Sequence, residues 1–299
     1  MNQNNPGAPI AGIVLLVLST WALSTLDASG KWVMSLGVSL WFMVWIRYVV
    51  HMMLVSCLVI PLKGWRIWRT QRMGAQLLRG TTMLLATLSL FTALHFLPQA
   101  EATAINFLAP LLMLAMAPWA LGEPMRLSRW VAAIVGFIGV LIVIRPSSGL
   151  NPIGVTFGLI TALLFSVQFL TTRRVALDDP MTTLLWSGAF GTVFLTLALP
   201  FVLLTEFVVL RELTLMQWLV LLGMGFWGGL GHLLQIQAYR FAPASVLAPF
   251  LYLQIVSAAG LGWLVWGAFP DSLTWLGILI ICTSGVAIAW LEWRQRPAG

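Results

Sequence analysis

Charge is scarce in this sequence. Only 8% of its 299 residues are Asp, Glu, Lys or Arg, against 60% hydrophobic residues. A soluble domain carries roughly 25% charged residues. So few charges cannot build a water-facing surface, which excludes a soluble enzyme, a disordered chain and a nucleic-acid binder. Cysteine is scarcer still. Cys57 and Cys282 lie inside apolar runs, so neither a disulfide framework nor a CxxC metal site is present. His51, His95 and His232 are isolated and lack HExxH spacing, and there is no P-loop. A GxSxG nucleophile elbow is missing too. These absences argue against an enzyme, an ATP-driven pump and any cofactor. Repeated filter loops and rings of charge, which an ion channel would want, are also lacking.

Long apolar runs are what the chain has. A membrane-spanning helix needs about 20 mostly apolar residues. Ten such runs are read, at roughly 9–30, 38–61, 76–97, 99–121, 128–145, 152–173, 181–205, 215–239, 243–267 and 272–291. Charge, Pro and Gly separate them, as at Lys63 to Arg72, Gly122-Glu123-Pro124, Arg145-Pro146 and Pro270-Asp271. The first run carries Asp27 and Lys31 and has no basic region before it, unlike a cleaved signal peptide. Continuous runs also differ from the alternating segments of a membrane β-barrel.

Basic residues set the expected orientation. With ten spans and the N-terminus in the cytoplasm, 12 of the 16 Lys and Arg residues fall inside. These include Lys63, Arg66, Arg69, Arg72, Arg173, Arg174 and Arg240. Lys31, Arg145 and Arg211 fall outside, and Arg47 lies within a span. The bias places both termini in the cytoplasm. The net charge of +7 is then a topology signal with some affinity for anionic lipid.

The halves of the chain partly coincide at an offset of 145 residues. Ala93, Phe96 and Pro98 meet Ala238, Phe241 and Pro243; Gly122 meets Gly267, and Trp130 meets Trp275. Each half then holds five helices. Five is odd, so the second half enters the membrane inverted. Inverted repeats are a transporter plan with substrate held near the midplane between the halves. The expected fold is therefore an all-α polytopic membrane protein: ten transmembrane helices as two inverted five-helix repeats, residues 1–148 and 149–299.

The stretch from Ala93 through Pro98, Ala100, Glu101, Ala102 and Asn106 to Pro110 continues through Leu121-Gly-Glu-Pro124 to Gly136-Phe-Ile-Gly-Val140. It resembles the motif pattern of the EamA-type branch of the drug/metabolite transporter superfamily. The second copy runs from Ala238-Tyr-Arg-Phe-Ala-Pro-Ala-Ser245 to Gly267, and departs from the pattern where Ala268 stands for the family's Glu. Asp27 with Lys31, and Arg47, also resemble family features. The resemblance implies a ten-helix carrier of small metabolites, amino-acid and drug exporters among them, in the bacterial inner membrane.

Ionisable groups near the bilayer centre cost roughly 2.5–3.5 kcal/mol on insertion scales, so polar residues within the runs carry the functional signal. Thr20, Ser24, Asp27 and Lys31 share one helix face. The stripe fits a watered path with Asp27 as a titratable coupling group, or an interfacial Asp27–Lys31 pair. Arg47 is too deep to snorkel and suits either a substrate carboxylate or a structural clamp on carbonyls, Asp27 or Glu101. His51 reads as a buried histidine. Further stripes present Thr87 with Phe91, Gln99 with Thr103, Asn106 and Pro110, Phe165 with Gln168, and His232 with Gln235 and Tyr239. Tyr252, with Ser245 and Ala248, mirrors the Asn106 stripe. Glu101 suits an interface anchor, and Trp21, Trp186 and Trp227 are deep enough to stack on a ligand. Gly225 with Gly229, and Gly154 with Gly158, have the GxxxG spacing of close helix contacts. Most of the 16 tryptophans suit aromatic belts at the interfaces.

The expected function is secondary transport, by alternating access, of a small organic metabolite. Amino acids are favoured and export is the expected direction. Substrate contacts are expected from Ser24, Arg47, Thr87, Phe91, Asn106, Phe165, Gln168, His232, Gln235 and Tyr252. Expected partners are the lipid bilayer and the substrate, with a homodimer left open and nucleic acid excluded. A scaffolding protein and an intramembrane enzyme or flippase are the alternatives.

Overall fold

The computed structural model describes residues 8–122, 126–145, 149–175, 177–242, 247 and 250–294. Glu123, Pro124, Pro146, Pro243, Ser245 and Ala248, named above, lie outside them. Among the described residues the elements are helices alone: α1 (Ala8–Ser35), α2 (Leu40–Lys63), a 3-10 turn (Trp65–Trp68), α3 (Met73–Phe96), α4 (Gln99–Asn106), α5 (Leu108–Leu121), α6 (Leu127–Val143), α7 (Pro152–Arg174), α8 (Pro180–Glu212), α9 (Leu215–Phe241), α10 (Leu253–Trp266) and α11 (Ser272–Arg294). Local chemistry sets their ends. Asn151 and Asp179 accept the N–H groups of Ile153 and Met181, each with Pro at the first helical position. Thr214 and Gln217 close a capping box on α9. Gly122 and Gly267 end α5 and α10 in the left-handed region, at φ 68° and 67°.

Eight helices are long and apolar enough to cross a membrane, counting Gln99–Leu121 as one. Two more, Leu127–Val143 and Leu253–Trp266, are apolar but shorter. They stand where the fifth and ninth runs are expected, and part of the ninth lies outside the described residues. The outward faces are hydrophobic: Leu62 is 83% exposed and Phe201 78%. Such side chains face lipid without penalty and would be unstable in water.

The helices pack in a set of pairs. α1 lies along α9, α3 along α7 and α6 along α11. α2 touches both α8 and α9, and α3 touches α8. α4 and α5 lean on α7, α10 leans on α1, and α4 meets α10. Between α6 and α11 the backbones touch. A Cβ on Gly139 would stand 2.8 Å from the carbonyl oxygen of Gly277, and one on Gly277 2.7 Å from that of Gly139. Ser284 donates to the Ala132 carbonyl at 2.6 Å across the same seam. Small residues at such contacts let dispersion replace the hydrophobic drive that lipid cannot supply.

One end is laced together by loop contacts. Asp178 accepts from the Thr70 hydroxyl, the Gln71 backbone N–H and the Gln76 amide, while Lys63 pairs with Asp179. Desolvation pushes the Asp178 carboxyl up, but these bonds outweigh it and hold it below the usual carboxylate value. Thr182 and Trp186 donate to the carbonyls of Ile67 and Trp68.

Candidate transport site

The fourth run is broken at Phe107 (φ −66°, ψ −2°), which separates α4 from α5. Pro110, four residues after Asn106, has no N–H to give the Asn106 carbonyl. The chain makes a matching turn at Tyr252 (φ −67°, ψ −14°), just before α10. Phe107 and Tyr252 are 145 residues apart, and their rings meet at 5.0 Å with a 37° tilt. The two breaks therefore touch inside the molecule. The Tyr252 hydroxyl points away, onto Gly285 of α11, where a side chain would collide with it.

Beside this contact is a cavity of about 280 Å³, walled by α4, α5, α7, α9 and the start of α10. Asn106, Phe107, Pro110, Phe165, Phe169, Gln235, Tyr239 and Gln254 line it. The Asn106 Oδ1 is buried without a hydrogen-bond partner. A buried acceptor left so costs about 1–3 kcal/mol, which a ligand N–H would recover. Phe165 and Phe169 stack at 6.4 Å and 19°, giving an aromatic wall one helical turn deep. The cavity has both polar and aromatic lining, suited to a small ligand with both characters.

Asn106, Phe165 and Gln235 come together here as the sequence stripes suggest, while Phe107, Phe169 and Gln254 emerge only from the structure. The 145-residue offset, carried one residue past Asn106, pairs Phe107 with Tyr252. Trp21 is 45% exposed and does not line this cavity.

A second cluster lies between α2, α3, α8 and α9. Arg47 donates to the Thr87 hydroxyl at 3.1 Å, and its guanidinium lies 5.5 Å from the Tyr48 ring centre and 5.8 Å from that of Phe91. Cation–π contacts of this kind hold a desolvated cation. The acids Asp27 and Glu101 form no ion pair with it within the described residues. His51 and His232 stand edge to face at 6.3 Å. Arg47, His51 and His232 border a void of about 10 Å³, the size of one water. Gly188, Gly225 and Gly229 bring α8 and α9 against His51; a Cβ at Gly229 would lie 3.5 Å from its Nδ1.

Ser24 belongs to a third group. Its hydroxyl meets that of Ser257 at 2.6 Å, and the Gln99 amide donates to the Ser24 carbonyl at 2.7 Å. These bonds tie α1, α4 and α10 together near the paired breaks. Asp27, one turn on, is buried. The Asp27–Lys31 pair that the spacing permits is not formed. Lys31 instead donates to the carbonyls of Leu94 and Leu97, where the C-terminal end of α3 attracts a cation. Gln168 is buried with its Oε1 unpartnered, as is Glu101 with its Oε2. Arg79, one of the basic residues expected on the inner side, sits inside α3 and donates to Thr172 at 2.8 Å and to Ser187.

Apolar helices with lipid-compatible faces around polar cavities define a multi-pass membrane protein that moves small molecules. The EamA-like transporter family matches residues 10–145 and 152–290. The chain belongs to that family, within the drug/metabolite transporter superfamily, and is a transporter rather than an enzyme. It is 28% identical to the S-adenosylmethionine uptake transporter of Rickettsia bellii, over 75% of each chain. It is 25% identical to the pseudopaline exporter of Pseudomonas aeruginosa, over 93% of this chain and 96% of the other. A solved crystal structure of the same fold superposes with a TM-score of 0.60 at 20% identity, covering 97% of this chain and 99% of that one.

Proposed function

We propose that this protein exports small zwitterionic metabolites, amino acids foremost, across the bacterial inner membrane. It does so by alternating access of two inverted five-helix halves, residues 1–148 and 149–299, with ten spans and both termini in the cytoplasm. The observation that carries the reading is the cavity beside the touching breaks, lined by the polar Asn106, Gln235 and Gln254 together with the aromatic Phe165 and Phe169. An ammonium group would donate to Asn106, and a side chain would lie on Phe165 and Phe169. Gln235 and Gln254 would take the remaining polar atoms. Arg47, held by neutral Thr87 and two rings, keeps its charge available for a carboxylate when the halves rock. Thr87, Phe91 and His232 frame it, and Gln168 and Ser24 serve neighbouring steps. Asp27, buried on the α1 stripe, is the coupling group.

The packing pairs support the inverted repeat. Exchange α1 for α7, α2 for α8, α3 for α9, α4–α5 for α10 and α6 for α11. The α1–α9 pair then becomes α7–α3, α2–α9 becomes α8–α3, and α5–α7 becomes α10–α1, all of which occur. The α2–α8, α4–α10 and α6–α11 pairs return to themselves. The family's two matched segments support the same division. For the substrate class, the relative from Rickettsia bellii is named for S-adenosylmethionine, itself an amino acid carrying an aromatic base. For the direction, the Pseudomonas aeruginosa relative is named an exporter.

Counterflow of labelled amino acids in liposomes tests the reading. Exchange is expected in the wild type and a fall of tenfold or more in Asn106→Ala. Exchange of nucleotide sugars or phosphates alone would defeat the substrate class. Unchanged amino-acid exchange in Asn106→Ala would defeat the site.

A further inference from the structure

A separate groove of about 420 Å³ runs between the last turns of α2, the start of α8 and the second half of α9. Its walls are apolar: Leu58, Leu62, Leu184, Phe226, Leu230 and Leu233. Gly229 forms part of the floor, and its missing side chain leaves the groove its depth. Leu58, Leu62 and Phe226 are 56%, 83% and 48% exposed, so the groove opens sideways toward the lipid. None of its lining residues lines the cavity at Asn106.

The polar groups of this groove are confined to one end, at Lys63, Gln237 and Arg240. Lys63 is paired with Asp179. Arg240 is exposed and makes a long 3.4 Å contact with the neutral Gln237. Two cations thus face one carboxylate, leaving an excess positive charge at the groove mouth. The same end carries Trp65, 75% exposed, and Trp68, and tryptophans collect at headgroup depth.

We propose that this groove is a binding site for an anionic phospholipid, with one acyl chain along α2 and α9 and the phosphate at Arg240 and Lys63. The charge fits the headgroup and the apolar length fits the chain. A small polar substrate would find no partner along the walls. Basic pockets between spanning helices are where acidic headgroups collect. The lipid would brace α2, α8 and α9, which also frame Arg47 and His232.

The test uses the full-length protein in detergent with added dioleoylphosphatidylglycerol or dioleoylphosphatidylcholine, read by native mass spectrometry and thermal melting. The glycerol lipid is expected to be retained and to raise the melting temperature more than the choline lipid. Arg240→Gln should lower its occupancy about fivefold, the ~1 kcal/mol that one cation contributes near an anionic headgroup. Arg240→Lys should retain it, and Leu233→Trp, which fills the groove without changing charge, should lower it. Equal retention of both lipids would overturn the proposal, as would occupancy indifferent to Arg240→Gln or to Leu233→Trp. An equal melting shift from inorganic phosphate would assign the cations to a free anion and overturn it too.

Discussion

Arg47 is a buried-helix cation whose bonds within the described residues are all to neutral groups: a threonine hydroxyl and two aromatic faces. Its depth within α2 is apparent from the sequence, because no interface lies within reach of its side chain. Its partner is not. Asp27 and Glu101 are the acids that spacing suggests, yet Thr87 and Phe91 of α3 take the guanidinium. Which helix faces α2 is decided by Gly188 and Gly225, whose missing side chains admit α8 and α9. Arg47→Ala strips Thr87 of a donor and leaves a hole under two rings. A loss of about 1–3 kcal/mol is expected, seen as a lower melting temperature in detergent, together with reduced counterflow. Wild-type melting and transport in that variant would remove Arg47 from both roles.

At the scale of elements, the break between α4 and α5 is the most informative feature. Pro110 is visible in the sequence, and the freed Asn106 carbonyl follows from its missing N–H. What the sequence leaves open is that the break coincides in space with the turn at Tyr252. Two interruptions 145 residues apart in the chain meet ring to ring, and long-range contact is not encoded by local spacing. Pro110→Ala returns the N–H and lets α4 run into α5. A proline in the first turn of α5 is tolerated and its replacement by the better helix former alanine costs the helix nothing, so the melting temperature is expected to hold or rise. Counterflow is expected to fall several-fold, because a continuous helix resists the bending that opens the cavity. A variant that melts lower, or transports at the wild-type rate, would show that the break is incidental.

For the whole molecule, the prediction concerns orientation. The loop from Lys63 to Arg72 holds four of the sixteen basic residues, and the positive-inside bias places it in the cytoplasm. Trp65, 75% exposed, is the position to probe. Trp65→Cys, in a background lacking Cys57 and Cys282, should resist an impermeant thiol reagent in intact cells and react once they are opened. Labelling from outside intact cells would invert the topology.

Membrane residence, the helical class and the family were decided by the sequence alone. The reason is that lipid forces every backbone group into a helix, so hydropathy and a few motif residues suffice. Eight runs were legible in that way as helices long and apolar enough to cross a membrane, and the other two coincide with shorter apolar helices, Leu127–Val143 and Leu253–Trp266, part of the ninth run lying outside the described residues. The gathering of the site was decided only in three dimensions. Stripes of similar polarity on different helices look alike along the chain, yet Asn106, Phe165 and Gln235 share one cavity while Arg47 and His232 border another. Glycine contacts and the paired breaks choose which faces meet, and those choices depend on shape complementarity between segments far apart in the chain.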